Sequence, residues 1–273
     1  MRVVKVPAAI LAVLIAAAAL AGCAGVPPAA AAHTAGSPEE FARLGLSPSR
    51  IEAWEDGART DGGRGTYEWW YFDTSLDDGS TLVVVFLTKD FTRPGSPLAP
   101  VVTFSLDGAG GTTVNRAVTA VAADFSASKD RCDVRIGSCT AAGDLRDYAV
   151  HYEDDEVSAD LRLHGTVPSW RPGTGYALFD EERFFAWLPS VPRGTVEGTV
   201  TIGGATRAVT GVGYHDHHWG NAALPGLVDN WYWGRARIGD WTVIASFITA
   251  TDRYGSAALP VFMLARGGAI VAE

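Results

Sequence analysis

The chain has 273 residues and is acidic, with 22 Lys and Arg against 31 Asp and Glu and a formal net charge of −9. If residues 1–22 are removed on export, Arg2 and Lys5 go with them, and 20 basic side chains then face 31 acidic ones, a charge of −11. An acidic chain without a basic cluster excludes nucleic acid as a partner and argues against electrostatic docking on anionic lipid.

The first element in chain order is a predicted export signal. Two basic residues precede an apolar run over 6–20, which has the length of a signal h-region and is short for a membrane span. Leu20-Ala21-Gly22-Cys23 then resembles the box at which bacterial lipoproteins are lipidated and cleaved. We therefore predict a lipoprotein signal peptide over 1–22 and a lipid anchor at Cys23 on the extracytoplasmic face of the cell membrane. An ordinary secretory signal with an incidental cysteine is the alternative.

Residues 23–43 are predicted to form a flexible tether. They are rich in Ala, Pro, Gly and Ser and have no hydrophobic period that could bury a face. The first folded domain is accordingly expected to begin at residue 44. Two short helices are predicted nearby, over 38–44 and 48–54, the second with Ser47 as its N-cap.

The body of the chain is predicted to be all-β and antiparallel. Short runs of β-branched and aromatic residues are separated by Gly, Asp, Asn and Pro, and no long segment keeps a helical period. Many strands at this spacing indicate a barrel or a sandwich. The predicted strands cover 66–74, 81–88, 101–105, 148–152, 158–164, 196–202, 207–218, 231–238 and 241–249.

Two segments, 70–88 and 231–249, form an internal repeat. Aligned without gaps at an offset of 161, they share five identities, among them Trp70 with Trp231 and Phe86 with Phe247. The repeat predicts a first domain over 44–228 and a second, incomplete one over 229–273, as in a fragment of a longer protein. A complete single domain whose last strands close the first barrel is the alternative.

Cys132 and Cys139 lie seven positions apart in a polar, Gly-containing segment. In the oxidising compartment that export implies, we predict a local disulfide between them. Two free thiols or a metal pair are the alternatives, although the spacing is wrong for a zinc knuckle.

Two strings of aromatic and acidic residues are the candidates for chemistry. In the first, residues 67–73, Glu68 shares one strand face with Trp70 and Phe72. A carboxylate between such rings loses solvation, which suits it to moving a proton. A buried glutamate that is bonded to the backbone or to an arginine is the alternative.

The second string covers residues 211–221 and contains three histidines. We expect Asp216 to be buried and paired with an imidazole, so that the pair can move a proton. A polar plug at a barrel end and a metal on His215 and His217 are alternatives, but no third ligand can be named and no metal is predicted. Strand alternation divides the string into one face with Tyr214, Asp216 and His218 and another with His215, His217 and Trp219.

These two strings, with the segment 231–235, resemble the carotenoid 1,2-hydratases (hydroxyneurosporene synthases) and the related AttH-like lipocalin proteins. The resemblance covers about residues 60–255. It implies two successive lipocalin-like antiparallel β-barrel halves around an apolar isoprenoid- or polyketide-like ligand. It also implies hydration or cyclisation without a cofactor, by proton donation to an alkene, as in a hydro-lyase or cyclase. A non-catalytic surface lipoprotein that binds lipophilic molecules is the alternative, and no protein partner is predicted.

Within the resemblance, Asp216 matches the catalytic acid and Tyr214 its neighbour, with His218 or Glu68 as further catalytic candidates. Phe185 stands where the family has the histidine of a His-x-Trp segment, which removes one acid–base partner. Aromatic faces are expected to stabilise a cation. The expected ligand-binding residues are Trp70, Phe72, Trp187, Trp219, Trp231 and Trp233.

Overall fold

The computed structural model describes residues 31–273, whose regular secondary structure is almost entirely antiparallel β-strand, as predicted. The predicted signal peptide, Cys23 and the first part of the tether lie outside the described residues. No helix within 31–273 is long and apolar enough to cross a membrane. The strands are β1 (His33–Thr34), β2 (Tyr67–Leu76), β3 (Thr81–Leu87), β4 (Val101–Asp107), β5 (Thr113–Thr119), β6 (Phe125–Ala127), β7 (Asp133–Ile136), β8 (Cys139–Gly143), β9 (Asp147–Glu153), β10 (Val157–Gly165), β11 (Tyr176–Leu178), β12 (Phe184–Ile202), β13 (Ala205–Gly220), β14 (Val228–Ile238), β15 (Trp241–Ala250), β16 (Ala258–Arg266) and β17 (Ala269–Ala272).

One of the two predicted helices forms. Helix α1 (Pro38–Leu44) begins at a capping box between Ser37 and Glu40. The prediction over 48–54 is wrong, because only a 3₁₀ helix forms there, at Ala53–Asp56. Strand β1 also pairs with β11, so ordered structure begins before the predicted boundary at residue 44.

The first sheet curls around the main hydrophobic core. Its strand order is β5-β4-β3-β2-β13-β12-β10-β9-β8-β7-β6, with β11 and β1 added beside β12. Strand β13 therefore lies at the centre, bonded to β2 on one side and to β12 on the other. The core holds large buried side chains such as Phe86, Phe104 and Tyr152.

Strand β12 is longer than the sequence predicts, because two prolines interrupt its pattern. Its register shifts on either side of Val191, and Pro189 and Pro192 fall in these irregular intervals. A proline cannot donate to a strand ladder, but it is accommodated at a bulge.

The second sheet has four strands, in the order β14-β15-β16-β17. The repeated segments form the hairpins β2–β3 and β14–β15, but the gapless alignment misses their register by one residue. Trp70 is opposite Phe86, whereas Trp231 is opposite Ile248. A one-residue slip moves a side chain to the other face, so Phe86 is buried while Phe247 is exposed.

The predicted disulfide between Cys132 and Cys139 does not form, and both thiols are free and buried. Strands β7 and β8 pair as a hairpin in which Cys139 is opposite Ile136 and Asp133 is opposite Ala142. The two cysteines are therefore several ladder steps apart, at about 3.3 Å per residue, which exceeds the reach of a disulfide.

Candidate active site

Strand β13 carries polar side chains on both faces, in the alternation that the sequence predicts. One face holds a group that we call the Asp216 cluster: Trp187, Tyr214, Asp216 and His218, which lie against the second sheet. The other face points into the core of the first sheet. It contributes to a group that we call the Asp56 cluster: Asp56, Glu68, His215 and His217.

In the Asp216 cluster, three contacts converge on one carboxylate oxygen. Asp216 Oδ2 accepts hydrogen bonds from Trp187 Nε1 at 2.9 Å and Tyr214 Oη at 2.7 Å, and His218 Nε2 lies 3.1 Å away. Asp216 Oδ1 and His218 Nδ1 are buried and have no hydrogen-bond partner within residues 31–273. The predicted pairing of Asp216 with an imidazole is therefore confirmed.

The surroundings of Asp216 favour its ionised form. Burial by itself raises the pKa of this carboxyl, but His218 and the hydrogen bonds from Tyr214 and Trp187 outweigh burial and lower it. Burial and the charge of Asp216 raise the pKa of Tyr214 well above its ordinary value. At neutral pH, Asp216 is a carboxylate and Tyr214 remains a hydrogen-bond donor.

Aromatic rings fix the imidazole of His218. The ring centroid of Trp69 lies 4.6 Å from it and that of Phe185 lies 5.3 Å from it, both nearly parallel to the imidazole. The ring centroid of Trp231 lies 5.9 Å from the imidazole, with the two ring planes inclined at 60°. Phe185 thus packs on the imidazole, at the position where the resembling family has a histidine.

A cleft of about 520 Å³ lies between the two sheets, and its lining includes the charged side chains of Asp73, Arg193 and Arg237 but none of the four residues of the Asp216 cluster. Its lining includes Val212 of β13 and Trp233 of β14, whose ring lies 5.5 Å from that of Tyr214. Arg235, also in the lining, pairs with Asp73 and lies over the Tyr214 ring, and burial lowers its pKa to about 10. The cleft therefore meets the Asp216 cluster only through the contacts of Trp233 and Arg235 with the Tyr214 ring.

The Asp56 cluster is buried in the first sheet, and sequence analysis missed its central residue. Asp56 accepts hydrogen bonds from Tyr148 at 2.5 Å and Ser190 at 2.8 Å, and His215 Nε2 lies 3.2 Å away. Burial favours a raised pKa for Asp56, but the imidazoles of His215 and His217 and the Tyr148 hydroxyl lower it. No motif marks Asp56, because its partners come from distant parts of the chain.

Glu68 belongs to this second cluster and not to the Asp216 cluster. Its carboxylate accepts from the backbone amides of Arg59 and Thr60 and from the Thr60 hydroxyl, and it pairs with His217 at 2.7 Å. It is thus the backbone-bonded buried glutamate that the sequence left as an alternative. The structure brings together three of the four predicted catalytic residues, without Glu68.

The six predicted ligand-binding residues also divide between the two faces. Trp187 belongs to the Asp216 cluster, and Trp231 and Trp233 pack against it. On the other face, Trp70 stacks on His217 and Phe72 on His215, while Trp219 Nε1 donates to Tyr176 Oη at 3.0 Å. Sequence reasoning missed Trp69, although the alternation of side chains along β2 places it on the other face of the strand from Trp70.

A family model described as Diels-Alderase-like matches residues 112–273. The chain belongs to this family. A quinolone epoxide rearrangement protein of Emericella nidulans is 28% identical over 193 residues, which are 66% of this chain and 53% of that protein. The chain spans about half the length of the full-length curated relatives it matches.

Two solved structures share the fold. An AttH protein from Nitrosomonas europaea has a TM-score of 0.63 at 18% identity, covering 83% of this chain and 73% of its own. Kievitone hydratase from Nectria haematococca has a TM-score of 0.55 at 16% identity, covering 81% and 67%. The fold is thus the lipocalin-like fold of the AttH proteins, as predicted. These comparisons support the wider superfamily and do not single out carotenoid hydration.

Proposed function

We propose that the protein is an enzyme that rearranges, hydrates or cyclises an apolar, unsaturated ligand at the Asp216 cluster, without a cofactor. The observation that carries this proposal is a buried carboxylate–imidazole pair in which Asp216 Oδ1 and His218 Nδ1 have no partner within residues 31–273. Unpaired buried polar atoms are unfavourable. Two of them on neighbouring groups, among aromatic rings, favour a ligand that bonds to both.

In this proposal His218 carries the proton, and not Asp216 as the family resemblance suggests. The lowered pKa of Asp216 makes it the carboxylate that stabilises a protonated imidazole. His218 donates from Nδ1 to an alkene carbon or to an epoxide or carbonyl oxygen of the ligand. In a hydration, water attacks the resulting cation and returns one proton to the pair, while the faces of Trp187 and Trp231 stabilise the cation.

The known relatives support this reaction class. Diels–Alder reaction, epoxide rearrangement and hydration all benefit from a hydrogen bond or a proton delivered inside an apolar site. An isoprenoid- or polyketide-like ligand is the substrate class that we propose, and carotenoid hydration is one specific form of it.

The experiment compares His218→Gln with His164→Gln, an exposed histidine that pairs with Asp147. Purified proteins are incubated with a quinolone epoxide and with a lycopene-like polyene, and products are measured by mass spectrometry. We expect His218→Gln to lose about 10²–10⁴-fold in turnover and His164→Gln to match the wild type. Equal turnover in both variants contradicts the role of His218. Tryptophan quenching by the ligands without any product supports the non-catalytic binder.

We also propose that the protein is exported and anchored through Cys23, on the sequence pattern of residues 1–23. An anchor of this kind holds the protein beside a bilayer, where apolar ligands concentrate. We expect labelled palmitate to be incorporated into the wild type and not into Cys23→Ser. An unlabelled wild-type protein in the cytoplasmic fraction contradicts the anchor.

A further inference from the structure

The Asp56 cluster contains a set of ligand atoms that the proposed reaction does not use. One atom each from Asp56, Cys132 and His215 lie within 4.8 Å of one another, and all three residues are buried. His217 Nδ1 lies 3.6 Å from Asp56 Oδ1, and it is buried without a hydrogen-bond partner among the described residues. Imidazole, carboxylate and thiolate are the ligands that Zn²⁺ takes in proteins.

Hydrogen bonds on the far side of each imidazole determine which nitrogen faces Asp56. His215 Nδ1 donates to the carbonyl oxygen of Tyr71 at 2.9 Å, because a carbonyl can only accept. His217 Nε2 donates to Glu68, whose other contacts are all donors. Each imidazole therefore turns its other nitrogen, His215 Nε2 or His217 Nδ1, toward Asp56.

These nitrogens lie 3.2 Å and 3.6 Å from the carboxylate oxygens of Asp56, and a cation between them would be bound by both kinds of group. A metal-bound histidine commonly donates its other N–H to a carbonyl or a carboxylate, as both of these imidazoles do. The carboxylate of Asp56 and the thiolate of Cys132 together balance the two charges of Zn²⁺, and Glu68 adds a further buried carboxylate against His217. Cys132 Sγ makes only a long contact with the Ala141 carbonyl, at 3.8 Å, and is available as a ligand.

We propose that Asp56, Cys132 and His215 bind one Zn²⁺ ion inside the first sheet, and that His217, whose Nδ1 lies outside this set of three, shifts to complete the coordination. Binding releases the thiol proton of Cys132 to solvent and changes no oxidation state. The ion is structural and separate from the Asp216 cluster, which lies on the other face of β13. The sequence offered no third ligand for His215 and His217, because Asp56 and Cys132 lie far from them in the chain.

The test uses the full chain, unfolded in denaturant with a chelator and refolded with Zn²⁺, with Co²⁺ or without metal. We expect one Zn²⁺ per chain by mass spectrometry and, with Co²⁺, a thiolate-to-cobalt charge-transfer band. Cys132→Ser should lose the band and bind Co²⁺ at least about tenfold more weakly. Cys139→Ser is the matched control, because this cysteine is also buried but directs its sulfur to the Glu153 carbonyl.

Two results overturn the site. In the first, the wild type refolds without metal to the same circular dichroism and thermal midpoint, and gives no cobalt–thiolate band. In the second, Cys132→Ser and Cys139→Ser bind Co²⁺ equally well. If Cys132→Ser does not fold, the stoichiometry and the band of the wild type decide the question. No turnover is measured, so failure here leaves the proposed function intact.

Discussion

The two faces of β13 bury the same kinds of group, carboxylates against imidazoles, but bond them to different extents. On the inner face, both oxygens of Asp56 and both oxygens of Glu68 have partners. On the face toward the second sheet, all contacts to Asp216 fall on one oxygen. A fully bonded carboxylate rigidifies a core, whereas a half-bonded one fixed by its neighbours is prepared for a ligand.

The largest expected effect is on catalysis. Asp216→Asn should lower turnover of an accepted substrate by about 10²–10⁴-fold, because a neutral amide no longer stabilises the protonated His218. Steady-state kinetics on the ligand panel measures the loss. Ligand binding by tryptophan quenching should persist, since the aromatic rings are unchanged. Turnover at the wild-type rate in this variant would contradict a catalytic role for the face of β13 that carries Asp216.

Substitutions on the inner face of β13 should change the stability of the fold. Asp56→Asn is expected to lower the free energy of unfolding by about 3–5 kcal/mol, because removing one member of a buried ionic network leaves its partners uncompensated. Urea unfolding followed by circular dichroism measures this change. The exposed Asp147, paired with His164, provides the control, and its substitution by Asn should change stability by less than about 1 kcal/mol. Similar losses in the two variants would contradict the structural role of Asp56.

The smallest expected effect is a pH-dependent contribution of Asp216 to stability. Its pKa is lower in the folded protein than the ordinary 3.8, so ionised Asp216 stabilises the fold above that pH. The contribution is lost as the pH falls through the folded pKa. We expect Asp216→Asn to cost about 1–3 kcal/mol at pH 7 and less in acid, as measured by urea unfolding at several pH values. If the loss of unfolding free energy in Asp216→Asn grew as the pH fell, the pKa of Asp216 would be raised in the folded protein and not lowered.

The sequence predicted the grouping of side chains on each face, because strand alternation depends only on local geometry. Tyr214, Asp216 and His218 therefore appear together as expected, opposite His215 and His217. The positions of the strands that are rich in aromatic and β-branched residues were also predictable, because these residue types favour half-buried strands.

Features that depend on register or on distant contacts were not predictable. Cys132 and Cys139 are close in sequence, but a hairpin separates them by several ladder steps. Asp56 approaches Tyr148 and His215 only after the first sheet has curled. Strands such as β5 and β8 were missed because polar and small residues weaken their pattern.

Residues 211–220 of β13 bond to β2 along their whole length and to β12 over most of it. Both clusters depend on this one segment, so exposing either face requires the centre of the sheet to open. We expect its backbone amides to exchange with deuterium only through global unfolding. A ligand at the Asp216 cluster and an ion at the Asp56 cluster would then slow the exchange of the same amides. Binding at either cluster would thereby also stabilise the strand on which the other cluster depends.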